Sequence, residues 1–172
     1  MKRWNYMIKH ALRMFMEKEK FAYLYGANGE VGNDALVDAM WDAYPYHFQE
    51  FVADKGYTKE QLKDHVRGKI CLDCSSFICY ISQNENYEEL RVVRDYNSAM
   101  LKDAFAVTRS PAAGTAGSVL YKPGHVALDI GYGVLVEFAA EFVDMRMREL
   151  EGAGFQVSGE LPFVDYTGTS AR

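Results

Sequence analysis

The sequence predicts a single α+β domain over residues 1–172, with helices first and an antiparallel sheet after them. Apolar side chains recur at helical spacing near the N-terminus, whereas short apolar segments separated by glycine-containing turns dominate after residue 118. No internal repeat, low-complexity tract or linker divides the 172 residues, a length that suits one domain with a substantial core. Helices followed by strands is the element order of an α+β fold.

The first helix is predicted over residues 3–18, where apolar side chains recur on one helical face. The segment 21–33 is then expected to form a short extended piece that ends in turns. Those turns are placed at its glycines, Gly26, Gly29 and Gly32.

Two further helices are predicted from their capping residues. Asn33 or Asp34 can cap a helix that runs to about residue 43. Thr58 and Gln61 have the spacing of a capping box, which predicts a third helix over residues 58–68.

The rest of the chain is predicted to form one buried helix and a sheet. Residues 74–83 are apolar enough for a buried helix, and residues 110–118 are expected to be a loop. Alternating segments then follow, with a tight turn at Gly131–Gly133. The expected strands are residues 118–122, 125–131 and 133–138, and a further strand pair in 143–150 and 155–166.

The composition, with 49% hydrophobic and 25% charged residues, is that of a soluble globular protein. A formal net charge of −5 argues against a general affinity for nucleic acid. No apolar stretch approaches the about 18 residues of a membrane-spanning helix. Charged residues interrupt the N-terminal apolar pattern, so we expect synthesis in the cytoplasm without a signal peptide. Action at a cell wall would then require release or phage-type delivery.

Three cysteines lie within nine residues, which is a poor framework for disulfides. Cys74 follows Asp73 at an expected helix start, where the partial positive charge of free amides should lower the pKa of the thiol. Cys79 lies about 140° around that helix from Cys74 and is expected in the core. Cys71 can be structural or functional. Cys74 is therefore the candidate nucleophile, with a buried structural cysteine as the simpler alternative.

Four histidines could supply a general base. His10, His47 and His65 lie in expected helices, where packed or solvated histidines are common. His125 instead opens a predicted strand directly after a Pro-Gly turn. A strand-start histidine facing a helix-start cysteine is the geometry that a cysteine hydrolase needs, although a packed core histidine also fits that position.

Glu137 is the candidate for orienting His125. It lies twelve residues later, in the next strand, and a hairpin that turns near residue 132 brings the two close together. Glu137 is also the only charged residue in the segment GVLVEFAA, where a lone carboxylate needs a partner. Asp129 is the rival, since it shares a strand face with His125.

These residues resemble the NlpC-type cell-wall cysteine peptidases of the papain-like superfamily. The matching segments are DCSSFICYI, GHVALDIGYGVLVEF and, more weakly, FAYLYGA and GELPFVDY, so the resemblance covers about residues 20–28 and 70–166. It implies a papain-like fold in which the nucleophile helix packs on the antiparallel sheet. The third polar residue of the family falls at Glu137. Ser76 stands where the family usually has glycine.

The resemblance also implies a reaction, the hydrolysis of an amide bond in peptidoglycan stem peptides, usually between γ-D-glutamate and a diamino acid. Cys74 would attack, and His125, oriented by Glu137, would act as base and acid. The substrate would contact Asp73, Ser75 and Tyr23, and no cofactor or metal is implied.

Tyr23 lies 51 residues before Cys74, farther than the family spacing, so residues 30–68 are interpreted as a helical insertion that caps the groove and narrows substrate choice. A phage or prophage lysin, a tail-associated hydrolase or an intracellular peptide-recycling enzyme would fit this organisation.

Three alternatives stay open. The same Cys-His pair could serve an amidase or acyltransferase. Cys71 and Cys74 have CxxC spacing, which suits a metal or redox site, but a structural zinc site needs two more ligands and no second such motif exists. Finally, the chain could be a catalytically degenerate effector with an unreactive thiol.

Overall fold

The computed structural model describes residues 2–169, which form an α+β fold with one large and one small sheet. Its helices are α1 (Trp4–Met16), α2 (Asp34–Ala43), α3 (Lys59–Val66), α4 (Cys74–Ser82) and α5 (Ser98–Asp103), with a π-helical segment at Tyr46–Val52. None of the helices in this described range is long and apolar enough to cross a membrane.

The large sheet is antiparallel throughout and has the strand order β5-β10-β6-β7-β8-β9. Its strands are β5 (Val107–Arg109), β6 (Val119–Lys122), β7 (His125–Gly131), β8 (Val134–Phe138), β9 (Met145–Glu149) and β10 (Val157–Glu160). The first four predicted strands are present within two residues, whereas the predicted strand 155–166 is wrong in extent, because β10 ends at Glu160 and a separate short strand follows at Val164–Asp165. The expected pairing of the last two is wrong, because β9 lies beside β8 at one edge and β10 lies between β5 and β6.

The small sheet has the order β2-β4-β3, with β2 (Phe21–Tyr23) parallel and β3 (Asn28–Val31) antiparallel to β4 (Ile70–Leu72). Segment 21–33 therefore contains two strands rather than one. The turn expected at Gly29 is instead a bulge within β3, where a φ of +100° favours glycine. A short parallel pair, β1 (Lys2–Arg3) with β11 (Val164–Asp165), joins the two ends of the described chain.

The predicted caps of α2 and α3 are present. The Asn33 side chain accepts a hydrogen bond from the Leu36 amide, and Thr58 and Gln61 form both bonds of a capping box. The sequence did not predict the π-helical segment after Pro45 or the short α5, each of which is anchored by few apolar side chains: Phe48 and Val52 in the former, Leu101 in the latter.

The two faces of the large sheet pack against different parts of the chain. Val126 and Leu128 on β7 face α4, and Phe138 on β8 lies with its ring 5.2 Å from that of Phe77 on α4. The alternate residues of the same strands, such as Ala127 and Leu135, join a smaller cluster on the other face. His125 and Glu137 have the parity of this second face.

Candidate active site

Cys74 is the first residue of α4, and the preceding Asp73 caps the helix. One oxygen of Asp73 accepts hydrogen bonds from the Ser76 amide at 2.8 Å and the Ser75 hydroxyl at 2.9 Å. The Ser76 hydroxyl in turn accepts from the Asp73 amide at 2.8 Å. These reciprocal bonds fix the turn between β4 and α4, and with it the position of the Cys74 sulfur.

The Cys74 thiol is held neutral rather than activated at rest. Burial raises its pKa to about 12, and the Asp73 carboxylate acts in the same direction. Three backbone amides lower this pKa, those of Val126, Ser75 and Cys74 itself, but their combined effect is smaller than that of burial. The expectation that the helix N-terminus would lower this pKa is therefore wrong, because desolvation outweighs the amides.

The amide of Val126 also locates the sulfur. The Val126 amide is close enough to the Cys74 sulfur to favour the thiolate. Val126 is the second residue of β7, so the sulfur lies near the start of that strand. Three backbone amides therefore lower the pKa of this thiol, two from the first residues of α4 and one from β7. An arrangement of this kind can stabilise negative charge that develops beside the sulfur.

His125 and Glu137 are in direct contact, with Nε2 and Oε2 separated by 2.5 Å. Leu128 on β7 pairs with Val136 on β8. In the same register Glu137 lies opposite Ala127, and His125 is its diagonal neighbour two residues away on the same sheet face. The small side chain of Ala127 leaves room for this contact. The rival carboxylate, Asp129, accepts instead from the Gly131 amide at 2.8 Å.

Glu137 is completely buried, and two arginines of β9 balance its charge. Arg146 Nε and Arg148 Nε donate to Glu137 Oε1 at 2.7 Å and 2.6 Å. Burial by itself would raise the pKa of Glu137, but the hydrogen bonds from His125, Arg148 and Arg146 outweigh it and hold this pKa well below its usual range. Sequence reasoning missed both arginines. Their alternation in VDMRMREL is a signal that they share a sheet face.

The imidazole of His125 is fixed on two sides. Glu137 occupies Nε2, and the ring stacks on Phe155 with centroids 5.8 Å apart. Within residues 2–169, no hydrogen bond joins the Cys74 thiol to this ring. Catalytic hydrogen bonds are often long or poorly aligned before substrate binds. Glu137 engages Nε2 of this ring and not Nδ1.

A cavity of about 320 Å³ is lined in part by the two residues that flank Cys74 in the chain. Asp73 and Ser75 line it, together with residues that the sequence analysis did not select: Tyr25, Gly26, Asn28, Tyr44, Asp95 and Asn97. Asn28 Nδ2 lies 3.4 Å from Asp95 Oδ2. Burial raises the pKa of Asp73 despite its neutral hydrogen-bond donors. The cavity is therefore lined by two acids, amides and two tyrosines.

Tyr23 is buried beside Cys74. Burial raises the pKa of its phenol well above 10, and the neighbouring Cys74 and Asp73 add to that shift. Its amide donates to Asp144 Oδ1 at 2.7 Å. Among the predicted site residues, Tyr23, Asp73, Cys74 and Ser75 thus form one group, while His125 and Glu137 form another at the start of β7.

The other two cysteines lie in separate environments. Cys71 belongs to a core formed with the helical segment 34–66, whereas Cys74 and Cys79 belong to the core between α4 and the large sheet. In the described residues, no group of three or more His, Cys, Asp or Glu side chains is placed to hold a metal ion.

The sequence and the structure were compared with known proteins and solved structures. No protein-family model matches the sequence, and no curated protein matches it. Two solved structures do match. One is the P60 domain of the antigen MAP1204 from Mycobacterium avium subspecies paratuberculosis, with a TM-score of 0.52, 14% identity, and 95% of this chain and 98% of that one covered. The chain has the NlpC/P60 fold.

The second is the peptidoglycan hydrolase RipB from Mycobacterium tuberculosis, with a TM-score of 0.53 and 16% identity. This match covers 95% of the present chain and 67% of RipB. Both neighbours are NlpC/P60 proteins, so the predicted papain-like α+β fold is confirmed.

Proposed function

We propose that this protein is a cysteine hydrolase that cleaves an amide bond in peptidoglycan stem peptides, at the bond between γ-D-glutamate and a diamino acid. The observation that carries the proposal is the Cys74 thiol at the start of α4 and beside β7, where His125 is held by Glu137. The fold shared with RipB, a peptidoglycan hydrolase, supports the substrate class.

In the proposed reaction the thiol is neutral until substrate arrives. The side chain of His125 has the parity of the sheet face opposite α4, so the reaction requires its ring to approach the thiol around the start of β7. Nδ1 then accepts the proton of the Cys74 thiol as the sulfur attacks the carbonyl carbon. The backbone amide of Cys74 stabilises the oxyanion. Protonated His125 then gives its proton to the leaving amine, and the C–N bond breaks. Water, deprotonated by His125, hydrolyses the resulting thioester and restores the thiol.

Glu137 acts in this scheme by holding His125 Nε2–H. A buried carboxylate that stays ionised fixes the tautomer with the proton on Nε2 and stabilises the imidazolium that forms after proton transfer. Arg146 and Arg148 keep Glu137 in that charged state, as the lowered pKa of Glu137 indicates.

The cavity beside the nucleophile is proposed to hold the acyl side of the substrate. Asp73 and Asp95 supply carboxylates, and Ser75 and Asn28 supply polar groups. Such a lining suits a free amino group of the stem peptide, because a cation offsets the cost of two acids in a partly enclosed cavity. Tyr23 contributes the buried wall next to the sulfur.

One observation favours the alternative of a catalytically degenerate effector. The raised pKa of Cys74, together with the lack of a thiol–imidazole hydrogen bond in the described residues, is also what an inactive thiol would show. The two functions differ in whether substrate turnover depends on Cys74.

The test is mass spectrometry of purified stem peptides and whole peptidoglycan after incubation with the wild type and with Cys74→Ala. Cleavage at the γ-D-glutamyl bond by the wild type alone is expected. Cys71→Ala is the matched control, since Cys71 is a buried cysteine in the other core and its loss should leave cleavage intact in the folded protein. A Cys74-dependent cut elsewhere would retain the mechanism and reject the bond. No cut would favour the effector.

A further inference from the structure

We propose that the helical insertion supplies a specificity-determining aromatic wall, made of Tyr25 and Tyr44 and held in place by His47 and Glu141. This inference rests on the proposed function, because the wall lines the cavity assigned to the acyl side of the substrate. Tyr44 and His47 belong to residues 30–68, so the insertion reaches the substrate cavity directly through Tyr44.

His47 and Glu141 hold Tyr25 from two directions. The ring of His47 stacks on that of Tyr25, with centroids 4.1 Å apart and an interplanar angle of 18°. Glu141 Oε1 accepts hydrogen bonds from His47 Nε2 at 2.9 Å and from the Tyr25 amide at 3.1 Å. Glu141 is only 6% exposed, so this carboxylate cannot exchange these partners for water without a local opening of the structure. Both the ring and the main chain of Tyr25 are therefore fixed.

Tyr44 is held by the neighbouring backbone. Its ring meets Tyr25 edge-on, with centroids 5.2 Å apart. It also lies over Gly26, where an added Cβ would be 2.4 Å from a Tyr44 ring carbon. The Gly26 amide donates to Asp73 Oδ2 at 3.3 Å. The aromatic wall is thus in contact with the segment that carries the acid beside the nucleophile.

The chemistry of the wall complements that of the acids. Tyrosine faces attract an ammonium group, and Asp73 and Asp95 add opposite charge to the same cavity. A protonated amine in this cavity is stabilised by the tyrosine rings and by the acids. An acylated amine has no charge for either to attract, and its acyl group adds bulk against two fixed rings. The insertion therefore sets a preference for a compact cationic group, and His47 and Glu141 are positioning residues for that preference.

The experiment measures kcat and KM for two forms of one stem peptide, with a free or an acetylated terminal amine. Tyr44→Ala and His47→Leu are expected to raise KM for the free amine about ten-fold, to leave kcat within about two-fold, and to reduce the preference over the acetylated form. Tyr44→Phe retains the ring and should restore the wild-type KM. Tyr46→Ala, at an exposed position of the same helical segment, is the matched control.

An unchanged KM and preference in Tyr44→Ala, matching Tyr46→Ala, would overturn the inference. Tyr44 is 39% exposed, so its variant keeps the test valid should His47→Leu fail to fold. A wild type that shows no Cys74-dependent cleavage of either peptide would overturn the proposed function, and this inference with it.

Discussion

Two carboxyl groups lie next to the proposed Cys74–His125 pair, Asp73 beside Cys74 and Glu137 against His125, and their pKa values shift in opposite directions for a reason that burial alone does not give. Glu137 is completely buried, yet His125 and two arginines keep its pKa well below the usual range. Asp73 is partly exposed at the cavity, yet burial raises its pKa because amides and hydroxyls are its only close donors.

Bonding partners, rather than depth of burial, decide the direction in which the pKa of each carboxyl group shifts. Around Glu137, cationic partners more than offset the cost of desolvation. Around Cys74 no cation is present near Asp73 in the described structure, and desolvation raises the pKa of Asp73, Cys74 and Tyr23 alike. A cationic group of the substrate would supply the missing charge.

The largest expected effect comes from exchanging each acid for its amide. Glu137→Gln should lower kcat about 10²–10⁴-fold, because a neutral amide neither fixes the tautomer of His125 nor stabilises the imidazolium. It should also lower the free energy of unfolding by about 3–5 kcal/mol, since two arginines lose their buried anion.

Asp73→Asn is the contrasting variant. Asparagine caps a helix as well as aspartate does, but its amide nitrogen would face the Gly26 amide that donates to Asp73 Oδ2, so one hydrogen bond is lost. Stability should fall less than in Glu137→Gln, and the main loss should fall on KM for an amine-bearing peptide. Steady-state kinetics and urea unfolding of both variants test this division. Equal losses of kcat in Glu137→Gln and Asp73→Asn would contradict the assignment of separate roles to the two carboxyl groups.

The second test concerns stability at alkaline pH. Cys71, Cys74 and Cys79 are all buried, and burial raises the pKa of each thiol to about 12. Above the thiol pKa of the unfolded chain, about 8.5, the unfolded state loses protons that the folded state keeps. Stability should therefore fall with pH between about 8.5 and 12, by up to about 1.4 kcal/mol per pH unit for each thiol.

Thermal unfolding between pH 8 and 11 measures this slope, and Cys74→Ala should reduce it by the contribution of one thiol. The rate at which iodoacetamide alkylates Cys74, followed by peptide mass spectrometry, should keep rising throughout the same range. A plateau of that rate below pH 7 would show a thiolate–imidazolium pair at rest and would contradict the neutral thiol.

The smallest effect is expected from removing one of the two arginines. Arg148→Met leaves Glu137 with Arg146 and His125, so less positive charge offsets its burial and the pKa of Glu137 rises toward the usual range. Because a smaller depression of this pKa makes stability depend less on pH, the fall in the free energy of unfolding between pH 7 and pH 3, measured by urea unfolding, should be smaller than in the wild type. Arg109→Met, which breaks an ion pair with Glu160 on other strands, is the matched control and should leave this pH dependence in place.

The sequence predicted the local parts of this site well. The helix that begins at Cys74 and the contact between His125 and Glu137 both follow from short-range spacing. The last of these depends on a hairpin, and the turn at Gly131–Gly133 determines which residues of its two strands meet.

The parts that were missed depend on packing between distant segments. Asp95 reaches the cavity from an irregular stretch without a periodic pattern, and Tyr44 reaches it from the C-terminal end of α2. His47 packs behind Tyr25 from the π-helical segment, which the sequence did not predict. The neutral state of the Cys74 thiol could not be predicted either, because the spacing of residues locates the helix end but does not give its burial.

The loop between β8 and β9 has a consequence for how the chain folds during synthesis. Its acids bind the amides of Tyr23 and Tyr25 across 121 and 116 residues of chain. During synthesis, the early segment that flanks the Cys74 sulfur must wait for residues 141–144 before its main chain is satisfied. Long-range closure of this kind is slow, and domains generally fold as units. We therefore expect the segment around Tyr23 to stay unprotected on the ribosome until residues 141–144 have left the exit tunnel.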